Sequence, residues 1–404
     1  MTAYKPREIV HPLAEALADM PVVVLSGMRQ SGKSTLLLRQ PELKHRRYVS
    51  FDDYNTLAAA QRNPEEFLNN PEPLTIDEAQ RFPELMAFIK QSVDKKRIPG
   101  RFLLSGSANF LLLKTIAESL AGRAVYLTLH PFTRREMLGA KQPPALAHFL
   151  TQGVWPQRKT QPISGREIIK GGMPSVCLGQ IKQPHIWFRG YEQTYLERDI
   201  RSLSQVADLV SFRHLLRLAA LRNGQILKQS ELARDAKLNT MTAGRYLSLM
   251  EASFIINRLP PYLNNRASRL IKSPKLYLSD TGLAGYLAGI EEPGRGEVLS
   301  GALWENYVAQ NLAGIISAHY PQAHITYWSI QGRYEVDFVL EIGQKTIAIE
   351  VKSGSRWQEH DLTGLKAFLN TDKKCVGAIL AYNGDKTLRL DDKIWAVPME
   401  LLLS

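Results

Sequence analysis

The chain has 404 residues, more than one ordinary hydrophobic core uses, so two or three domains are expected. A hydrophobic share of 44% with 22% charged residues describes a soluble globular protein. The formal charge of +12 favours a polyanionic partner such as DNA, although a basic solvated surface has the same signature. No apolar run reaches transmembrane length, and the N-terminal MTAYKPREIV lacks the apolar centre of a signal peptide, so a cytoplasmic chain with no membrane partner is expected. Cys177 and Cys375 lie far apart without metal-site spacing and read as packing residues in a reducing compartment.

Apolar spacing of Ile9, Leu13, Ala16 and Leu17 predicts a helix over 7–18. Residues 22–25 form a β-branched run that predicts a buried strand. The run leads into GMRQSGKS, which fits GxxxxGK[ST], and then into a helix. Strand, glycine loop and helix are the context of a phosphate-binding loop. Gly27 and Gly32 allow the tight turn that aims amides at phosphates, and the helix N-terminus adds partial positive charge. Gly27, Gln30, Ser31, Gly32, Lys33, Ser34 and Thr35 form the expected ATP site. Lys33 contacts phosphate oxygens there, and the Ser34 hydroxyl ligates Mg2+.

A second strand over 48–51 ends in Asp52 and Asp53, which either cap the next helix (57–67) or touch metal-bound water; capping is favoured. A third strand, 74–76, ends in Asp77 and Glu78. This resembles a Walker B site, with Asp77 in the Mg2+ shell and Glu78 as the catalytic base that polarises water. A fourth strand, 102–104, leads to Ser107 and Asn109, of which Ser107 is the first choice to sense the γ-phosphate. Turn chemistry explains both equally well. Arg123, before a fifth strand at 124–129, either neutralises transition-state charge in its own or a neighbouring subunit, or pairs with Glu118.

The order of phosphate loop, FDD strand end, IDEAQ, LLSGSANF and SLAGR resembles a family of bacterial and archaeal ATPases. Their cores are similar to AAA+ and STAND ATPases, and they carry a C-terminal domain of formerly unknown function. The resemblance covers essentially the whole chain. It implies a three-layer α/β P-loop NTPase core with a parallel sheet, Mg-ATP as ligand, and assembly into a ring or homo-oligomer as an available state. Gly171-Gly172-Met173-Pro174 matches the family's glycine-glycine-aromatic-proline turn, with Met173 in the aromatic position.

The core is expected to occupy 1–138. Prolines 143, 144, 156 and 162 mark a linker and helical region over 139–205, with a long helix at 184–203. Residues 206–292 resemble a winged helix-turn-helix. Its helices are 230–236 and 240–252, and its wing strands 254–259 and 275–278. Thr240, Thr242, Arg245 and Ser248 point outward, and Arg266, Arg269 and Lys272 charge the wing loop. DNA contact and packing as a lid or partner surface are equal readings.

Residues 293–404 form an expected restriction-endonuclease-like α/β domain. A helix carries Glu305 among Leu303, Tyr307 and Leu312. Strands follow at 325–328, 334–340 and 346–351. Asp337 on one strand and Glu350-x-Lys352 on the next resemble a PD-(D/E)xK nuclease core. Glu350 and Lys352 share a strand face with Ala348, opposite Ile347, Ile349 and Val351. Glu305, Asp337 and Glu350 are the expected ligands of Mg2+ or Mn2+, and Lys352 positions or helps deprotonate water. Gln358 and His360 are weaker candidates. A plain Glu350–Lys352 ion pair on a solvated sheet is the simpler alternative. The reading is therefore an ATPase that controls a DNA nuclease, or else an ATP-driven switch whose C-terminal fold only binds nucleic acid or a protein.

Overall fold

The computed structural model describes residues 4–106, 120–195, 200, 208–263, 272–291, 298–330 and 333–404. Ser107, Asn109, Glu118, Arg266 and Arg269 lie outside the described residues, as do 196–199 and 201–203 of the expected 184–203 helix.

Five strands open the chain: β1 (Val22–Ser26), β2 (Arg47–Ser50), β3 (Leu74–Asp77), β4 (Phe102–Ser105) and β5 (Ala124–Thr128). They form one sheet in the order β2-β3-β4-β1-β5, and every pairing is parallel. Each central strand is an apolar run because both faces are covered. Val22, Val24, Phe102, Leu104 and Ile76 pack with Leu85, Met86, Ile89 and Val93 of the helix Leu85–Lys95. Val23, Leu25 and Leu103 pack on the opposite face with Leu13 of the helix Val10–Asp19 and Leu36 of the helix Lys33–Arg39. Three layers result, and all five strands end at the same edge. Between Asp53 and Leu68 the chain makes two helices rather than one. The first, Tyr54–Arg62, is capped by Asp53, which accepts from the Asn55 and Thr56 amides, and Asn63-Pro64 starts the second.

The stretch expected as a linker is packed down. In the helix Ala145–Gln152, Phe149 stacks on Trp155 at 4.9 Å between ring centres and meets Trp395 edge-on at 6.4 Å. The Thr160 hydroxyl donates to the Asp385 carbonyl, and Asn383 exchanges hydrogen bonds with the backbone of Ile163. The prolines mark an extended path over the C-terminal sheet.

Next come the helix Leu209–Leu221, β6 (Gln225–Ile226), the helices Gln229–Asp235 and Thr240–Ala252, β7 (Ile256–Leu259) and β8 (Lys275–Leu278). The strands form a small antiparallel sheet, β6-β8-β7. The first of the two helices begins at Gln229, with Ser230 inside it. Thr240, Arg245 and Ser248 are exposed, and Met241 beside them is 85% exposed.

The C-terminal part is a mixed six-stranded sheet, β13-β14-β12-β11-β10-β9, in which β11, β12 and β14 run parallel and the other pairings are antiparallel. The strands are β9 (His324–Ile330), β10 (Tyr334–Ile342), β11 (Lys345–Lys352), β12 (Cys375–Tyr382), β13 (Leu388–Arg389) and β14 (Ile394–Pro398). Ile347 and Ile349 share a core with Leu303, Tyr307 and Leu312 of the helix Val298–His319. Ala348 faces the other way, toward Leu365 and Phe368 of the helix Thr363–Thr371. That first core also holds Phe188, Phe212 and Leu278, so the middle and C-terminal parts are packed as one body. At the sheet edge the Tyr262 amide donates to the Tyr327 carbonyl, which extends β9 with chain from beyond β7. Among the described residues no helix is long and apolar enough to cross a membrane.

Candidate functional site

The loop after β1 turns on glycine. Gly27 has φ 145°, and a Cβ there would lie 2.3 Å from the Leu129 carbonyl oxygen. Gly32, at φ 98°, caps the helix that begins at Lys33. Lys33 is 6% exposed, and its ammonium donates to the carbonyls of Gly27 and Met28 at 2.9 Å each. The loop opens onto a cavity of about 630 Å3, lined by Gln30, Gly32, Lys33, Ser34, Thr35 and Glu78 among others. The buried hydroxyls of Ser31 and Ser105 make no hydrogen bond among the described residues. A glycine loop at a helix N-terminus with a folded-back lysine, open to this cavity, fits a nucleotide phosphate chain. The site would hold it with the 27–35 loop.

Asp77 ends β3 and is 2% exposed; the Tyr48 hydroxyl donates to it at 2.9 Å. Glu78 follows at φ 53° and lines the same cavity. Burial and the neighbouring charges of Asp77 and Asp52 hold the Glu78 carboxyl above the usual carboxylate range, while Gln80 and Lys33 pull it back. β4 stands between the loop strand and the Asp77 strand, which brings Ser105, a residue the sequence reading passed over, to the same sheet edge.

Arg123 is placed elsewhere, and its role within its own subunit falls away. It precedes β5, and its carbonyl accepts from the Val22 amide, at the opposite end of β1 from the loop. It pairs with Asp94 at 2.6 Å. Arg7, which sequence reasoning missed, does reach the cavity. It donates to the Ser31 carbonyl at 3.0 Å, stacks 4.0 Å over Phe132 and pairs with buried Glu136 at 3.0 Å.

The C-terminal carboxylates converge. β10 carries one extra residue between Val336 and Val339, a bulge that re-aims Asp337. Asp337 accepts from the Val351 amide at 2.9 Å. Lys352 sits 3.2 Å from Glu350 and 3.4 Å from Asp361, a partner the sequence reading missed. Burial lowers the Lys352 ammonium, but Glu350 and Asp361 more than offset it, so its affinity for the proton rises. Burial and then Asp337 push the Glu350 carboxyl well up, and one of its oxygens has no hydrogen bond among the described residues. His360 is exposed and lies 3.5 Å from Asp361, and the Gln358 backbone amide donates to Asp361 in a capping box.

Lys275 of β8 enters this cluster. It is 1% exposed, and its ammonium lies 2.9 Å from Glu305, 3.2 Å from Asp337 and 2.5 Å from Glu335. Burial pulls it down, and its surroundings, Asp337 first, override that, so it stays charged. A hard divalent cation needs six or so oxygens to itself. Here Glu305 and Asp337 are engaged by Lys275, and Glu350 by Lys352. Among the described residues no group of three or more His, Cys, Asp and Glu is set to hold a metal, so the expected metal set does not fit one in this arrangement.

β8 has a second anchor. Asp280, just past its end, is fully buried and accepts from the Gly172 amide at 2.7 Å and the Leu283 amide at 2.8 Å. Gly171 has φ 64°, and a Cβ there would lie 2.5 Å from the Asp280 carboxylate. The turn that Asp280 grips runs into Pro174 and Ser175, which line the nucleotide cavity.

Residues 19–138 match the model of an AAA domain. Residues 165–294 and 300–402 match two domains of unknown function, DUF8612 and DUF4143. Uncharacterized proteins of Mycobacterium tuberculosis and Mycobacterium bovis are each 30% identical over 404 residues, spanning 98% of this chain and 84% of theirs. Among solved structures, a Walker-type ATPase of Pyrococcus abyssi is 17% identical with a TM-score of 0.45, covering 71% of this chain and 99% of its own. The RuvB Holliday junction branch migration motor of Thermotoga maritima is 18% identical with a TM-score of 0.29, over 63% and 90%. At such scores no likeness of the whole chain follows.

Proposed function

The chain belongs to the family of these two mycobacterial proteins and carries a P-loop ATPase domain, and from that premise we propose that its ATP cycle controls a nuclease-like C-terminal domain acting on DNA. The observation that carries the proposal is β8, tied at one end to the carboxylate cluster and at the other to the turn lining the nucleotide cavity.

Within the first site, the 27–35 loop binds the phosphates, and Lys33 exchanges its carbonyl partners for phosphate oxygens. Ser34 and Asp77 hold Mg2+, which supplies neutralisation of phosphate charge. Glu78 orients and deprotonates the attacking water, and its raised proton affinity makes it a stronger base than a free carboxylate. Arg123 acts on a neighbouring subunit in a homo-oligomer. The helix–strand–helix–helix–hairpin order of 209–278 supports a winged helix, and the outward Thr240, Arg245 and Ser248 with the net charge of +12 support DNA as the partner.

A second reading, an ATP-driven binding switch without cleavage, is favoured by Lys275 standing among the carboxylates. The test is cleavage of supercoiled, linear and single-stranded DNA with Mg2+ or Mn2+, with and without ATP, by the parent and by Lys352→Ala. Cleavage that the variant loses supports the nuclease. Intact DNA throughout, with ATP still hydrolysed, supports the switch.

A further inference from the structure

We propose that Lys275 is the resident cation of the carboxylate cluster, so that the β6-β8-β7 sheet holds the candidate nuclease site closed to divalent metal. The inference rests on the nuclease reading above and adds its control.

Three carboxylates from two elements meet one ammonium. Glu305 comes from the helix Val298–His319, and Glu335 and Asp337 come from β10. An ammonium has three donors and no acceptor, which matches that set. Lysine is almost never so buried unless its charge is matched, because removing it from water costs several kcal/mol. The surroundings are built for it. The Tyr277 hydroxyl donates to Glu305, and the Tyr327 ring lies 5.9 Å from the ammonium. A metal ion on Glu305 and Asp337 would stand where the ammonium stands, so the two exclude each other.

The cluster keeps ligand capacity in reserve. Among the described residues the lysines paired with Glu305, Glu335, Asp337, Glu350 and Asp361 are Lys275 and Lys352, and one Glu350 oxygen has no hydrogen bond. Withdrawal of Lys275 leaves a surplus of buried negative charge, which a divalent cation relieves. Lys275 belongs to a different sheet from the site it fills, so a shift of β8 moves the cation without unfolding the C-terminal sheet.

The experiment is Mn2+ titration of the full-length, nucleotide-free chain, read by electron paramagnetic resonance. The parent and Asp337→Asn are expected to take up Mn2+ equally. Lys275→Met gains one bound Mn2+ per chain, Lys275→Arg gains none, and Lys275→Met combined with Asp337→Asn loses the gain. The proposal is overturned if a folded Lys275→Met gains no site, or if Asp337→Asn takes up less Mn2+ than the parent. That second comparison decides alone if Lys275→Met does not fold. Failure of the nuclease reading looks different: Lys275→Met binds Mn2+ and still leaves DNA intact.

Discussion

Lys275 begins β8 inside a cluster of carboxylates, and Asp280, two residues beyond the end of the same strand, holds the turn that lines the nucleotide cavity. Both side chains are buried, and each is matched by partners from another part of the chain. A rigid strand between two such anchors is the physical element through which one site can bias the other.

The nucleotide site is tested by separating binding from hydrolysis. Lys33→Ala removes a charged contact to phosphate worth about 1.5–3 kcal/mol, so ATP affinity is expected to fall roughly 10- to 100-fold. Glu78→Gln keeps affinity within a few-fold and slows hydrolysis by about 10²–10⁴. Equilibrium binding of a fluorescent ATP analogue and steady-state phosphate release measure the two effects. A Glu78→Gln chain that hydrolyses at the parent rate removes Glu78 from the mechanism.

Arg123→Ala is expected to leave hydrolysis unchanged at concentrations where the chain is monomeric, because Arg123 sits at the far end of β1 and pairs with Asp94. Comparing rates across a dilution series checks this. A loss that appears only at high concentration assigns Arg123 to a neighbouring subunit.

Asp280 gives a pH signature. Burial raises its carboxyl from 3.8 to about 6, while the amides of Gly172, Leu283, Gly282 and Met173 pull it back. Because the folded value is the higher one, its contribution to stability is full below the unfolded value and is lost as pH rises through about 6. Asp280→Asn is expected to flatten the fall in stability between about pH 4 and 6. It also lowers stability at pH 7, because an amide NH2 then faces a backbone N–H. Urea unfolding at several pH values reads both effects, and an unchanged slope contradicts the assignment.

Phe149→Ala is expected to cost about 3–5 kcal/mol by opening a cavity between Trp155 and Trp395. Denaturant unfolding measures it. A cost under about 1 kcal/mol would mean that 139–165 is a linker after all.

Much of the fold was legible. β1, β3, β4 and β8 are short apolar runs bounded by glycine, proline or acids, and local pattern places them within a residue or two. The acids at the end of β3 and the alternation of Ile347 and Ile349 against Ala348, Glu350 and Lys352 were legible for the same reason. Other features depend on distant partners. Residues 139–165 look like a linker because their prolines break local periodicity, yet Phe149 and Trp155 are buried against the last strand. Lys275 reads as one more basic residue of a wing, since nothing in KLYL announces three carboxylates 30 to 62 positions away. Arg123 lies beside the catalytic motifs in sequence, but a parallel sheet puts the start and end of a strand on opposite edges.

The central claim is that the nucleotide site and the carboxylate cluster are coupled through β8, and amide hydrogen exchange with and without a non-hydrolysable ATP analogue tests it most directly. The account predicts that the analogue changes protection in the 27–35 loop, in β8 and in the strands bearing Asp337 and Glu350. It also predicts that Asp280→Asn keeps the change in the loop and loses it in β8 and beyond. Protection that changes around the loop alone in the parent would contradict the coupling.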